Sequence, residues 1–272
     1  MRTHTLLFLG GGNMSRAIIA GLIHDGYPAH YIQVIDRNPA KCQAFRAEYG
    51  VAASADLQTA LSKADVLVLA IKPQDAEAAC MQLQAYCKTH SPLIISVMAG
   101  ITVTQLAQWL DAPVAIVRAM PNTPAAVQAG ATGLFANAAA HTAHQNLAES
   151  ILRATGVISW VKEEGDLAAI TALSGSGPGY YFYFMEIMEA VALKMGLSAD
   201  TAHLFTAQTA YGAAKLALES TSDFASLRAQ VSSKGGSTAA AIASMENNHL
   251  MNLLEEAMQA CKNRALELAK GS

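Results

Sequence analysis

Three stretches of this sequence hold more glycine and hydroxyl side chains than packing requires. The first is Gly10-Gly11-Gly12-Asn13-Met14-Ser15, directly after the apolar Leu6–Leu9. Gly10 can make a tight turn, and Gly12 lets the backbone approach a diphosphate. Ser15 keeps the third position of the pattern small, which permits close helix–strand contact. The helix that follows offers free N–H groups and the positive end of its dipole. The spacing therefore predicts a dinucleotide loop, with Gly10, Gly11, Gly12, Asn13 and Met14 around the phosphates. The other two stretches are Leu173–Tyr180 and Val231–Thr238, each ahead of a helix. Ser or Thr beside Gly is a normal helix start. Two such starts in a region of so little other polarity point to anion sites that suit a small carboxylate.

The elements that must carry these loops follow from apolar periodicity. Strands are predicted at 5–9, 31–36, 65–71, 93–97, 114–119, 131–135 and 157–161. Helical spacing lies between them, including a short helix over 54–63. The run at 65–71 is continuously apolar, as in a strand covered on both faces. Such alternation predicts an α/β fold with a mainly parallel, doubly wound sheet. Beyond Val161 only helical patterns remain. The polar break Lys162-Glu163-Glu164-Gly165 sets the expected boundary: a Rossmann-type domain over 1–162 and an all-helical domain over 163–272.

Ligands of such sheets lie beyond the carboxyl ends of the strands. The second strand ends at Asp36-Arg37-Asn38, near the ribose-reading position. An acid there favours NAD, whereas an Arg favours the 2′-phosphate of NADP. Arg37 inclines the reading to NADPH, with NADH as the alternative, and Arg37 and Asn38 are expected at the cofactor. Ala70-Ile71-Lys72-Pro73 and Met98-Ala99-Gly100 end two further strands. Ala70, Lys72, Pro73, Ala99 and Gly100 are thus expected to line the cofactor. Lys72 is within reach of a phosphate or a carboxylate, and the small Ala99 and Gly100 admit a flat ring.

Composition narrows the class. Charged residues make up 14% of the 272 residues and hydrophobic residues 52%, with a net charge of −3. Soluble domains carry about 25% charge. The apolar runs are too short for a membrane span of about 20 residues or for a signal-peptide core. No basic block suggests nucleic acid. The four cysteines form no CxxC pair and read as reduced thiols, which points to the cytoplasm. Neither the scattered cysteines nor the His141/His144 pair suggests a metal site.

Read together, GGGNMS at 10–15, AIKP at 70–73, MAG at 98–100, AMPNTP at 119–124, LSGSGPGY at 173–180 and SSKGGST at 232–238 identify a resemblance. The chain resembles the Δ1-pyrroline-5-carboxylate reductase family along essentially its whole length. It departs from the family pattern at Gly179, usually Ala, and at Lys234, often Pro. The resemblance implies NAD(P)H-dependent reduction of the cyclic imine 1-pyrroline-5-carboxylate to proline. It also implies a helical domain that interlocks two subunits, with dimers assembling further into decamers. It places Thr238 at the ring nitrogen of the substrate. The N–H groups of Gly236, Ser237 and Thr238, with Ser232 and Ser233, would hold the carboxylate. Thr171 and Ser174 would line the opposite side, and Glu164 would stand near the substrate. The alternative for Thr238 is a helix N-cap. Two rival functions are a β-hydroxyacid dehydrogenase, which would carry a lysine early in the helix after Gly179, and a non-catalytic dinucleotide sensor. The first lysine after Gly179 is Lys194. The helix 180–195, apolar nearly all round, links the low charge to a dimer interface.

Overall fold

A computed structural model describes residues 3–62 and 64–270. Residues 1, 2, 63, 271 and 272 lie outside the described residues, so Lys63, the expected end of a helix, is not placed. The chain opens with β1 (Leu6–Leu9), α1 (Asn13–His24), β2 (Ile32–Ile35), α2 (Pro39–Tyr49), β3 (Ala52–Ser54) and α3 (Leu57–Leu61). It continues with β4 (Val66–Leu69), α4 (Ala76–His90), β5 (Leu93–Ser96), α5 (Val103–Leu110), β6 (Ile116–Met120) and β7 (Gly130–Ala136). Then come α6 (Thr142–Leu152), β8 (Gly156–Trp160) and α7 (Leu167–Ile170). The eight strands form one sheet in the order β3-β2-β1-β4-β5-β6-β7-β8. All pairs are parallel except β6 with β7.

β1, β4 and β5 are buried at every residue. Alternation along each strand divides the core in two. Leu6, Phe8, Val66 and Val68 pack on one face, and Leu7, Leu9, Leu67 and Leu69 on the other. This double coverage explains why these strands read as unbroken apolar runs. The short β3 departs from the prediction. Its Ala-Ala-Ser sequence has too little apolar signal to mark a strand, and pairing with β2 imposes it. The predicted helix over 54–63 contracts accordingly to α3, capped by Asp56.

Two compact units result: the described residues of 1–176 with those of 261–272, and Gly177–Ala260. Strands end at Trp160, just before the expected change at 162. The first unit nevertheless runs on to Ser176. α7 packs on β7 so closely that a Cβ at Gly133 would lie 2.8 Å from Ile170. The helices α8 (Gly177–Lys194), α9 (Ala199–Glu219), α10 (Phe224–Gln230) and α11 (Ser237–Asn247) belong to the second unit, and α12 (Leu250–Lys270) begins in it. No helix among the described residues is long and apolar enough to cross a membrane. On α8, the consecutive Tyr181, Phe182, Tyr183 and Phe184 are all exposed in the single chain. Four successive residues point all round a helix, so this apolar surface is left uncovered by the described residues.

Cys80 and Cys87 lie on the buried face of α4. Burial pushes the Cys80 thiol up to about 12 and the Cys87 thiol up to about 11. Thiolate is the reactive species. Both residues are therefore expected to resist a thiol-specific reagent at about pH 8 and to react fully once the chain is denatured. Mass spectrometry of labelled peptides measures this directly; rapid labelling of either in the native state contradicts the described packing.

Candidate functional site

The glycine loop lies where the sheet order reverses, between β1 and β4. This is the topological switch point at which doubly wound sheets bind ligands. Gly10 has φ +100°, and a Cβ on it would lie 2.5 Å from the Ala70 carbonyl oxygen. Only glycine fits there. The Gly10 N–H donates to the Ile35 carbonyl at 2.8 Å, and the Ser15 hydroxyl donates to the Gly10 carbonyl at 2.5 Å. Ser15 is thus more than a small residue: it is buried and pins the turn. Gly12 is the N-cap of α1 and supplies no side-chain cap. A Cβ on it would meet nothing nearer than 3.9 Å. The first N–H groups of α1 have no partner within the helix, and no acid stands in its first turn. This cradle fits a diphosphate. Asn13 is exposed and Met14 half-buried beside it.

Asp36 braces this loop. Its Oδ2 accepts from the Gly11 N–H at 2.8 Å and from Lys41 Nζ at 3.3 Å, and its Oδ1 accepts from the Asn38 N–H at 2.8 Å. Desolvation by burial acts to raise its pKa. The two N–H donors and the Lys41 charge outweigh that and hold the carboxyl below its usual range. Asn38 caps α2 through its own side chain. Arg37 is almost wholly exposed, with Asp75 at 3.5 Å. The Ala70 N–H continues the β4 ladder by donating to Leu9 at 2.9 Å. Lys72 is exposed, ahead of a 3₁₀ turn that begins at Pro73.

Four of the expected residues meet in one cavity of about 180 Å³ in the first unit: Ala99, Gly100, Glu164 and Thr171. Arg118 and Met120 of β6 also line it, as do Ala265, Leu266, Leu268 and Ala269 of α12. The predicted helix over 166–173 is α7 followed by a π-helical turn, Thr171–Gly175, closed by the Ser176 N–H donating to Thr171 at 2.8 Å. Such turns are rare and recur at functional sites. Within it the Thr171 hydroxyl donates to Leu167 at 2.7 Å and the Ser174 hydroxyl to Ile170 at 3.2 Å. Both therefore offer a ligand their lone pairs rather than their protons. Asn122 holds this turn, donating to the Ser174 carbonyl at 3.0 Å while accepting from the Ala131 N–H at 2.9 Å. Sequence reasoning singled out the segment of Asn122 without this role. It missed Arg118 altogether, although a lone cation inside the strand Ile-Val-Arg-Ala-Met was the available signal.

The remaining candidates lie in the second unit. Gly235 turns the chain with φ +75°. The Gly236 N–H donates to the Ser233 carbonyl at 2.9 Å, so it is not available as an anion donor. Gly236 is the N-cap of α11 and makes no side-chain cap bond. The first closure of the helix comes at Ala240, bonding to Gly236 at 3.1 Å. Among the described residues, the N–H groups of Ser237 and Thr238 have no such bond. Thr238 is the second residue of α11, so it is not the N-cap. The buried Ser232 hydroxyl has no hydrogen-bond partner among the described residues. Ser233 and Ser237 are exposed.

A family model described as pyrroline-5-carboxylate reductase dimerisation matches residues 164–268. A second, described as NADP oxidoreductase coenzyme F420-dependent, matches residues 5–100. The chain is 43% identical to a pyrroline-5-carboxylate reductase of Pasteurella multocida, covering 99% of each chain. It is similar to the solved structure of a pyrroline-5-carboxylate reductase from Coxiella burnetii, with a TM-score of 0.95 and 43% identity over 98% of this chain and 99% of that one. The crystal structure of a Plasmodium falciparum pyrroline carboxylate reductase, with NADP bound, shares the fold at a TM-score of 0.86 and 24% identity, covering 99% of each chain.

The Asp36 brace has a pH dependence of definite sign. Its folded pKa is depressed, so its stabilisation is complete above about pH 4, the unfolded value. It disappears as the pH falls through the lower folded value. Asp36→Ala removes the acceptor of Gly11 and Asn38. It should cost about 1–3 kcal/mol of stability and weaken dinucleotide binding at neutral pH, as calorimetry would measure. Wild-type affinity in this variant would remove Asp36 from the loop's support.

Proposed function

The chain belongs to the pyrroline-5-carboxylate reductase family, and from that premise we propose how its own residues perform the reduction of 1-pyrroline-5-carboxylate to proline. The observation that carries this reading is the 43% identity along the full chain. The enzyme is an NAD(P)H-dependent oxidoreductase that functions as a dimer, in which a second copy covers the apolar face of α8. We extend the dimer to a decamer of five dimers, as the resemblance implies. We assign the enzyme to the cytoplasm, where free thiols such as Cys42, Cys80 and Cys87 stay reduced.

NADPH is the proposed cofactor. The first N–H groups of α1, opened by Gly12, would hold its diphosphate. Asp36 already accepts two backbone N–H groups and faces Lys41. That leaves it less able to serve a ribose hydroxyl, while the nearby exposed Arg37 suits a 2′-phosphate. The NADP of the Plasmodium relative supports the same choice. Ala70, Lys72 and Pro73 line the cofactor's path, and Ala99 and Gly100 admit the nicotinamide. When bound, NADPH supplies the hydride that reduces the carbon–nitrogen double bond.

The substrate carboxylate falls to the N–H groups of Ser237 and Thr238 at the start of α11, with Ser232 and Ser233 as hydroxyl partners. The unpartnered Ser232 hydroxyl supports this assignment. The Thr238 hydroxyl orients the ring nitrogen by a hydrogen bond. It is too weak an acid to protonate an imine, so solvent supplies that proton. The protein's main contribution is orientation.

The direct test is NADPH consumption with pyrroline-5-carboxylate, followed by absorbance and repeated with NADH; no turnover with either overturns the reading. Arg37→Gln should raise the KM for NADPH about ten-fold, the loss of about 1.4 kcal/mol of charge-assisted bonding. The KM for NADH should stay within about two-fold. Equal effects on both cofactors would remove Arg37 from phosphate recognition.

Thr238→Ala separates a reacting hydroxyl from a structural one. A helix cap is worth about 1 kcal/mol, but Thr238 does not cap α11. The variant should therefore keep its Tm while kcat falls about ten-fold or more. An unchanged kcat would exclude Thr238 from the mechanism.

A further inference from the structure

Glu164 was expected to touch substrate, yet its carboxylate is engaged elsewhere. Glu164 Oε1 accepts from the Val103 N–H at 2.8 Å and from Arg118 Nη1 at 2.7 Å. Both side chains of the ion pair are mostly buried, 12% exposed for Arg118 and 19% for Glu164. Val103 is the first residue of α5. Thr102 and Gln105 form a capping box there, in which Thr102 Oγ1 accepts from the Gln105 N–H and the Thr102 N–H donates to Gln105 Oε1. That box leaves the Val103 N–H unserved, and a helix's first N–H groups have no partner within the helix. Glu164 serves it from 61 residues away.

The position of this bond in the cavity matters more than its strength. α5 starts directly after the Ala99–Gly100 loop, in which Gly100 has φ +79° and its Cβ position lies 3.3 Å from the Leu268 carbonyl. Arg118 belongs to the strand at the cavity's edge. Glu164 opens the short 3₁₀ turn that leads into α7 and the turn carrying Thr171. One carboxylate oxygen thus ties together three segments that each contribute a wall to the same cavity. Ala99 and Gly100 form one wall and Thr171 another.

We infer that Glu164, paired with Arg118, is a positioning residue that fixes the Ala99–Gly100 wall against the Thr171 wall, and is not a substrate ligand. The inference rests on the function proposed above, with Ala99 and Gly100 at the nicotinamide and Thr171 on the substrate side as the family resemblance implies. A misplacement of about 1 Å at a reacting centre can cost about a hundred-fold in rate. The role needs an acceptor oxygen at that point rather than a negative charge aimed at substrate, and a glutamine supplies one.

Three variants test it, in the full-length protein. Glu164→Ala should lower kcat by about ten- to a hundred-fold, with each KM within about three-fold of wild type. Glu164→Asp, one methylene short, should resemble it. Glu164→Gln should recover kcat to within about three-fold of wild type. Amide hydrogen exchange without any ligand gives an independent readout: residues 99–106 should exchange faster in the Ala variant and at the wild-type rate in the Gln variant. A Gln variant as slow as the Ala variant overturns the inference. So does a raised KM for pyrroline-5-carboxylate at unchanged kcat, which would make Glu164 a direct ligand. Unaltered exchange in the Ala variant also overturns it. Failure of the wild type to turn over pyrroline-5-carboxylate would instead defeat the functional reading, and leave the exchange result standing.

Discussion

The approach of Gly10 to the Ala70 carbonyl is the constraint on which the rest of the nucleotide end depends. Two parallel strands, β1 and β4, lie side by side, and the chain must leave both at the same edge. A side chain at residue 10 would collide with backbone, which has nowhere to move inside a sheet covered on both faces. With glycine there, the turn closes and α1 begins three residues later. Ser15 then pins the turn from inside, and Asp36 pins it from the next strand. The open N-terminus of α1 is the consequence of these contacts together.

The same economy governs charge. A chain with 14% charged residues places its few buried charges where they connect segments. Burying an ion pair is costly unless hydrogen bonds satisfy both partners. The Arg118–Glu164 pair meets that condition by adding the Val103 N–H. Asp36 meets it with two N–H groups and a lysine. The remaining apolar excess lies on the helices of the second unit. Tyr181, Phe182 and Tyr183 are each more than 60% exposed in the single chain, within the stretch that the dimerisation family model matches.

Much of this was legible in the sequence because local physics determines it. The glycine loop, the doubly covered strands and the succession of helices after Trp160 each leave a pattern within a few residues. What escaped depended on distant partners. β3 exists because β2 offers it an edge, and its own three small residues say nothing. The π-helical turn at Thr171–Gly175 looks helical in sequence, and its wider hydrogen bonding is supported by Asn122 from 52 residues away. Glu164 was found by resemblance, but its bond to Val103 spans 61 residues and no periodicity encodes it. The Gly236 N–H was expected as an anion donor; a local turn to Ser233 uses it.

α2, α3, α5, α9 and α10 each take a side-chain cap, from Asn38, Asp56, Thr102, Ser198 and Asp223. α4, α6 and α7 make no side-chain cap bond, but α1 and α11, likewise without one, are the two of these that begin at a glycine, Gly12 and Gly236. A side-chain cap stabilises a helix by about 1 kcal/mol, and polar residues suited to it stand within two positions of each glycine: Asn13 after Gly12, Ser237 and Thr238 after Gly236. A cap side chain would occupy the N–H groups that an anion needs and fill the space above them. The two glycine-started helices are also the two that the proposed function assigns to anions, a diphosphate at α1 and a carboxylate at α11. The forgone stability is small beside the charge-assisted bonds that each open start can make with its ligand. On this reading, binding explains the glycine starts better than folding does.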